Sequence, residues 1–156
     1  MVMAPSEWDR SVQIGDGHMG DPRSIALQWA KAYDSHDEQQ LHDVLADDAV
    51  LVSPEGVFDG RSSIVDYMMA WARAFGGGYT VENVTSEDHT VVLEMTWRGA
   101  HTGVYSTPAG DIPATNRSVE ARTSHTVVVD GDAVAQVRMY FDVFGFMSQL
   151  GLLPGS

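Results

Sequence analysis

Close to its end the chain carries one acidic residue, Asp142, where an alternating strand over 133–143 meets the apolar segment 144–154. Burying a carboxylate at such a junction is costly without a partner. Burial also raises its pKa toward the range in which a general acid/base works. In that role Asp142 would take up and give back a proton at the rim of a cavity. The plain alternative is a solvated aspartate at a strand end. His101 and His125 are the residues that could orient a carbonyl or shuttle a proton beside it. Trp29, Tyr33 and Trp97 could stack on a flat hydrophobic ligand. Each has a structural alternative, a hydrogen-bonded histidine or a packed aromatic ring, and Trp71 and Phe75 read as core. A two-histidine, one-carboxylate metal site would need three strands to converge. No local histidine spacing supports one, so no metal and no cofactor are assigned.

The faces of the last strand set up a conflict. Ala135, Val137, Met139, Phe141 and Val143 share one face, and Gln136, Arg138, Tyr140 and Asp142 share the other. Packing the apolar face inward sends Asp142 to solvent. If the apolar face instead makes a homodimer contact on the outside of the sheet, Arg138, Tyr140 and Asp142 line the interior as a polar row. The second arrangement is the one expected here, with Arg138 close enough to pair with Asp142 or to flank a ligand.

Composition removes several chemistries. With no cysteine there is no disulfide, thiol nucleophile or thiolate metal site. Lys31 is the one lysine and lies among Gln28, Asp34 and Asp37, a solvated setting that argues against Schiff-base chemistry. A net charge of −13 repels phosphate, so no nucleic-acid partner and no anionic membrane are expected. There is no run of about 18 apolar residues and no secretory leader pattern, so the default location is cytoplasmic. Residues 1–20 are polar and Gly-rich and read as a loosely ordered leader. The remainder, 21–154, reads as one domain, since 156 residues that are 44% hydrophobic suit a single core.

The elements that must position these residues follow from spacing. Asp21-Pro22 opens a helix over 22–35, with Ile25, Trp29, Ala32 and Tyr33 at helical intervals. A second short helix spans 38–46. Short strands follow at 48–53 and 57–58, separated by Pro54-Glu55-Gly56. A third helix runs over 62–75 and stops at Gly76-Gly77-Gly78. The rest is extended: 79–87, 89–101, 117–129 and 133–143, with a loop over 102–116 and a tight turn at Asp130-Gly131. Helices first and strands later predict an α+β fold. Its curved antiparallel sheet would wrap the helices and leave a conical cavity, a default small-ligand site.

Three stretches have a familiar look. Residues 27–54, LQWAKAYDSHDEQQLHDVLADDAVLVSP, resemble the opening of many nuclear-transport-factor-2-like domains. Residues 97–120, WRGAHTGVYSTPAGDIPATNRSVE, resemble the RG-x-H-x-G … G-x-x-P-T-x-R segment of SnoaL-like polyketide cyclases and their ester-cyclase relatives. The tail YFDVFGFMSQLGLLP, residues 140–154, is similar to their closing D … L-x-Q-L-G segment. The resemblance spans roughly residues 22–154. It implies a cofactor-independent intramolecular aldol cyclase of a polyketide-type substrate, with Asp142 by position as the acid/base. Ketosteroid isomerase shares the fold and places its base just before the proline that ends the first short strand. Ser53 stands there in this chain and cannot act as a carboxylate, so the likeness does not extend to that reaction. The rival functions are a non-catalytic binding protein for a hydrophobic small molecule and a different isomerase or hydrolase on the same cone.

Overall fold

The structure is a computed structural model and describes residues 20–154. The expected loose leader therefore lies, but for Gly20, outside the described residues. The elements are α1 (Pro22–Asp34), α2 (Glu38–Val44), β1 (Leu45–Ser53), β2 (Gly56–Asp59), α3 (Arg61–Phe75), β3 (Gly78–Glu87), β4 (Thr90–Ala100), β5 (Tyr105–Thr107), β6 (Gly110–Ile112), β7 (Ser118–Asp130), β8 (Ala133–Phe141) and α4 (Val143–Gln149). Six strands form one curved sheet in the order β2-β1-β8-β7-β4-β3, and β5 and β6 form a separate hairpin. Every pairing is antiparallel except β1 with β8. The fold is α+β, as the element order implies.

Alternation decides which side of the sheet is core. On β4, Val91, Leu93, Met95 and Trp97 are buried while Glu94 and Arg98 are exposed. Their partners on the neighbouring strands, through Val127, His125 and Val137, continue the same inner face. Against this face lie α1, through Ile25, Trp29 and Tyr33, and α3, through Ile64, Met68 and Phe75. Lys31 is exposed on α1.

Strand β8 corrects the expected arrangement. Val137 is fully buried, Met139 is 6% exposed and Phe141 is partly buried against the core. The apolar face points inward, and Arg138, Tyr140 and Asp142 fall on the outside. The physical reason is the register: Val137 pairs with Val127 and Leu51, both fully buried, so turning the strand over would expose three apolar rows at once. Ala135 is an extra residue opposite Val128 and Val129, a bulge that lets Val134 and Val137 both face inward.

Two further differences matter for the site. The loop over 102–116 contains the β5–β6 hairpin, which packs Tyr105 onto the core. The tail beyond Asp142 is a short helix, α4, and carries Phe146 inward at 2% exposure. The glycine stop after α3 has a specific use. Gly77 has φ +78°, and a Cβ there would overlap the Arg98 carbonyl oxygen, so only glycine lets the chain cross β4 at this point. The carbonyls of Gly76 and Gly77 receive Tyr33 Oη at 3.0 Å and meet His36 Nε2 at 2.7 Å, which pins the end of α1. Among the described residues no helix is long and apolar enough to cross a membrane.

Candidate active site and ligand cavity

A cavity of about 40 Å³ lies between α3, α4 and the inner face of the sheet. Tyr67, Met68 and Trp71 of α3 form one wall, and Phe146 of α4 forms another. The sheet contributes Tyr79, Trp97, Ala121, Thr123, Met139 and Phe141, and α1 contributes Tyr33. The rings interlock around Trp71, whose centroid lies 5.3 Å from Phe146, 5.7 Å from Trp97 and 6.0 Å from Phe141. Aromatic contacts at these separations, several edge to face, fix the wall positions.

Polar groups reach this cavity in two ways. Tyr33 accepts a long hydrogen bond from Trp97 Nε1 at 3.4 Å while donating to Gly76, and burial pushes its pKa up to about 12. Tyr79 has its backbone N–H bound to Asp34 Oδ1 at 2.8 Å; burial raises the pKa of its phenol well above the ordinary value. Asp34 is itself raised, by burial first, with the Tyr79 N–H opposing. These phenols are neutral hydrogen-bonding groups.

The second way runs through Glu55, on the β1–β2 turn. Its Oε1 accepts from Tyr67 Oη at 2.8 Å and from Trp71 Nε1 at 2.9 Å. Its Oε2 accepts from Tyr105 Oη at 2.5 Å. Ser53 Oγ lies 3.2 Å from Tyr67 Oη and accepts the Glu55 backbone N–H at 3.1 Å. Tyr67 and Trp71 sit one turn apart on α3, so both present donors to the same carboxylate. Burial is the main cause raising the pKa of Tyr67 and of Tyr105, with the Glu55 charge next. Glu55 is thus a partly buried carboxylate one hydrogen bond behind the cavity wall.

The residues singled out from sequence separate into three groups. Tyr33 and Trp97 stand on the cavity wall. Trp29 and His125 are fully buried as a pair, with Trp29 Nε1 donating to His125 Nδ1 at 3.1 Å. An indole N–H only donates, so His125 carries its proton on Nε2. Burial drives its pKa down to about 3, which keeps it neutral, and its ring stands edge-on to Tyr79 at 5.2 Å. His101 lies elsewhere, eight residues beyond Leu93, the pairing partner of His125. At ~3.3 Å per residue the two imidazoles cannot share a ligand. His101 Nδ1 bonds Thr115, its backbone bonds Arg117 and Asn116, and its ring packs on Phe75 at 4.9 Å, so it anchors the ends of the hairpin segment. Burial lowers its pKa as well.

Arg138, Tyr140 and Asp142 form the third group, and here the expected polar row is corrected. Arg138 Nη1 donates to Gln136 Oε1 at 2.6 Å on the outer face, and Tyr140 is 41% exposed. Asp142 is exposed and caps α4, its Oδ1 accepting from the Gly145 N–H at 2.9 Å. Among the described residues no group of three histidine, aspartate or glutamate side chains could hold a metal ion.

Sequence reasoning passed over Glu55 while weighing Ser53 and Pro54 beside it. Its signals were a carboxylate in the turn that follows the first strand, and donor-bearing Tyr67 and Trp71 at i, i+4.

Solved structures share this architecture. A protein of ketosteroid-isomerase-like fold from Catenulispora acidiphila, in complex with trimethylamine, is 17% identical, over 83% of this chain and 93% of that one, with TM-score 0.69. IdmH from Streptomyces antibioticus, provisionally assigned as a polyketide cyclase, is 20% identical over 85% of this chain and 99% of that one, with TM-score 0.70. An LEH-like epoxide hydrolase of M. tuberculosis is 16% identical over 83% and 88%, with TM-score 0.65. At such identities the likeness is one of fold, and the three names already span different activities. Comparison with curated proteins gave no match. The sequence model of the SnoaL-like polyketide cyclases matches residues 23–150, from the second residue of α1 to the end of α4. With that match over most of its length and the cone of helices and curved sheet it folds into, the chain belongs to the SnoaL-like polyketide cyclase family.

Proposed function

We propose that this protein binds a compact hydrophobic small molecule in the aromatic cavity. The observation that carries the reading is the convergence of seven aromatic side chains, from α1, α3, α4 and the sheet, on one space. Its volume of about 40 Å³ equals roughly three water-sized spheres. That suits a small molecule or one end of a larger one. Ala121 tests it, because it lines the cavity with the smallest side chain there. Ala121→Leu fills the space from the sheet side. Phenol and indole are titrated by calorimetry against both proteins. Binding to the parent and its loss in the variant, with the fold intact by circular dichroism, supports the reading; binding that survives the filling overturns it.

A second reading is a cofactor-independent cyclase of a polyketide-type substrate. Family membership supports it, and so does the Tyr67–Glu55 pair, where a cavity phenol is hydrogen-bonded to a carboxylate. In that mechanism the Tyr67 hydroxyl takes the proton α to a carbonyl as it passes its own to Glu55, and the relay runs back to protonate the alkoxide once the carbon–carbon bond has formed. Such a substrate needs more room than the cavity's volume of about 40 Å³ gives, so in this reading α4 or the β5–β6 hairpin moves aside to admit it. Glu55→Gln lowers turnover of a polyketide substrate about 10²-fold in this reading, and an unchanged turnover removes it. A homodimer through the outer face of the sheet, where Tyr140 is exposed, belongs to both readings; sedimentation of the parent as a monomer at all concentrations would exclude it.

A further inference from the structure

The ligand's chemical class follows from the electrostatics of the cavity. Among the described residues no arginine or lysine lines it, and His125, packed edge-on behind Tyr79, is held neutral by the Trp29 bond and by burial. Among the described residues two carboxylates are bonded to the wall: Glu55 through the side chains of Tyr67 and Trp71, and Asp34 through the backbone N–H of Tyr79. A phenol or indole that donates to a carboxylate gains electron density in its ring, and ring faces already carry the negative end of an aromatic quadrupole. Met68 and Met139 add polarizable sulfur to the same wall. An anion placed here would meet rings and a carboxylate with no positive group to balance it.

A cation meets the reverse. It gains from the rings, from the Glu55 charge, and from the net charge of −13, which raises the local concentration of cations around the molecule. Size permits this, since about 40 Å³, roughly three water-sized spheres, suits a compact head group or one end of a larger molecule. We propose that the cavity recognises a compact ammonium group, a tertiary amine or quaternary ammonium, with the aromatic wall as its cage and Glu55 as its counter-charge. The inference rests on the cavity-binding reading and names the ligand class for that site.

The test uses three probes of one shape: choline, its uncharged carbon isostere 3,3-dimethylbutan-1-ol, and the anion pivalate. Each is titrated into the full chain at matched ionic strength, with phenol in parallel, following the fluorescence of Trp71 and Trp97 and the heat of binding. Choline is expected to bind about tenfold tighter than the neutral isostere, and pivalate not at all. Glu55→Gln keeps the side-chain size and is expected to remove most of the preference for choline while leaving the neutral isostere unchanged. Tyr105→Phe, which deletes one donor to Glu55 from outside the cavity lining, should keep the preference. Equal binding of choline and its isostere, or a preference that survives Glu55→Gln in a folded protein, overturns the ammonium assignment. Binding of phenol without choline defeats the ligand class and leaves the cavity reading standing. If no probe binds, both fail.

Discussion

Glu55 and Asp142 are two carboxylates at opposite fates in one molecule. Glu55 sits on the turn between β1 and β2 and receives three side-chain donors, two of them from residues that line the cavity. Asp142 follows the last strand of the same sheet, holds one backbone N–H and faces water. The sequence makes Asp142 conspicuous, with apolar residues on both sides, and makes Glu55 look like a turn residue between proline and glycine. A carboxylate's potential for binding or proton transfer depends on which groups converge on it. Convergence is made by tertiary structure, so local apolarity is a poor guide to it. The inner wall around Tyr67 and Trp71 is a connected set of neutral donors on the Glu55 charge, while the outer end of β8 is a set of solvated polar groups.

The largest expected effect sharpens that contrast on the inner side. His125 is buried and neutral, with its pKa lowered from 6.5 to about 3 by burial. The unfolded chain binds a proton at this residue below pH 6.5 and the folded chain does not until about pH 3. Stability therefore rises with pH across that window: the contribution is complete above 6.5 and is lost as pH falls toward 3. At ~1.36 kcal/mol per pKa unit the loss across the whole window is on the order of 5 kcal/mol. Urea unfolding at intervals between pH 7 and 4 reads it. His125→Gln, which can still accept from Trp29 Nε1, should flatten the slope. A slope that is the same in the variant would mean that acid acts elsewhere.

The next effect compares the two carboxylates directly. Glu55→Ala strands the donors of Tyr67, Trp71 and Tyr105, and losing partners for partly buried donors costs about 3 kcal/mol in total after allowing for water at this partly exposed site. Asp142→Ala should cost about 1 kcal/mol, the usual worth of an N-cap. Paired urea melts settle the ranking. Equal losses would mean that the Glu55 hydrogen bonds exchange freely with water and that the wall is not a connected unit.

What was legible in the sequence was whatever depends on near neighbours. The alternation of Val91, Leu93, Met95 and Trp97 defined β4 and its buried face. The triple glycine ended α3, and Gly131 with φ +60° made the two-residue turn between β7 and β8. Tyr33 and Trp97, chosen as aromatic positions on a helix and a strand, do stand on the cavity wall. Hidden features were those set by distant partners. The donors to Glu55 come from 12, 16 and 50 residues away, so no window of sequence contains them. Alternation on β8 gave two faces but not their sense, which is fixed by pairing with Val127 and Leu51. On β8 the apolar face turns inward, as the general rule has it, and a single carboxylate at the strand's end does not reverse it. Helix α4 is hidden in the sequence because seven residues give barely two turns of periodicity, with Gly145 inside.

The smallest effect separates structure from chemistry at Asp142. Asparagine caps helices about as well as aspartate, so Asp142→Asn should hold α4 and Phe146 in place and shift stability by under ~0.5 kcal/mol. Because Asp142 points away from the cavity, the same change should leave probe affinity and any turnover within about twofold, whereas Glu55→Gln should move one or both by about tenfold or more. Both variants are measured in one titration series and one kinetic assay. If Asp142→Asn proves the more damaging of the two while its urea melt matches the parent, the outer carboxylate is the working one. The end of β8 would then have to turn inward during function, carrying α4 with it.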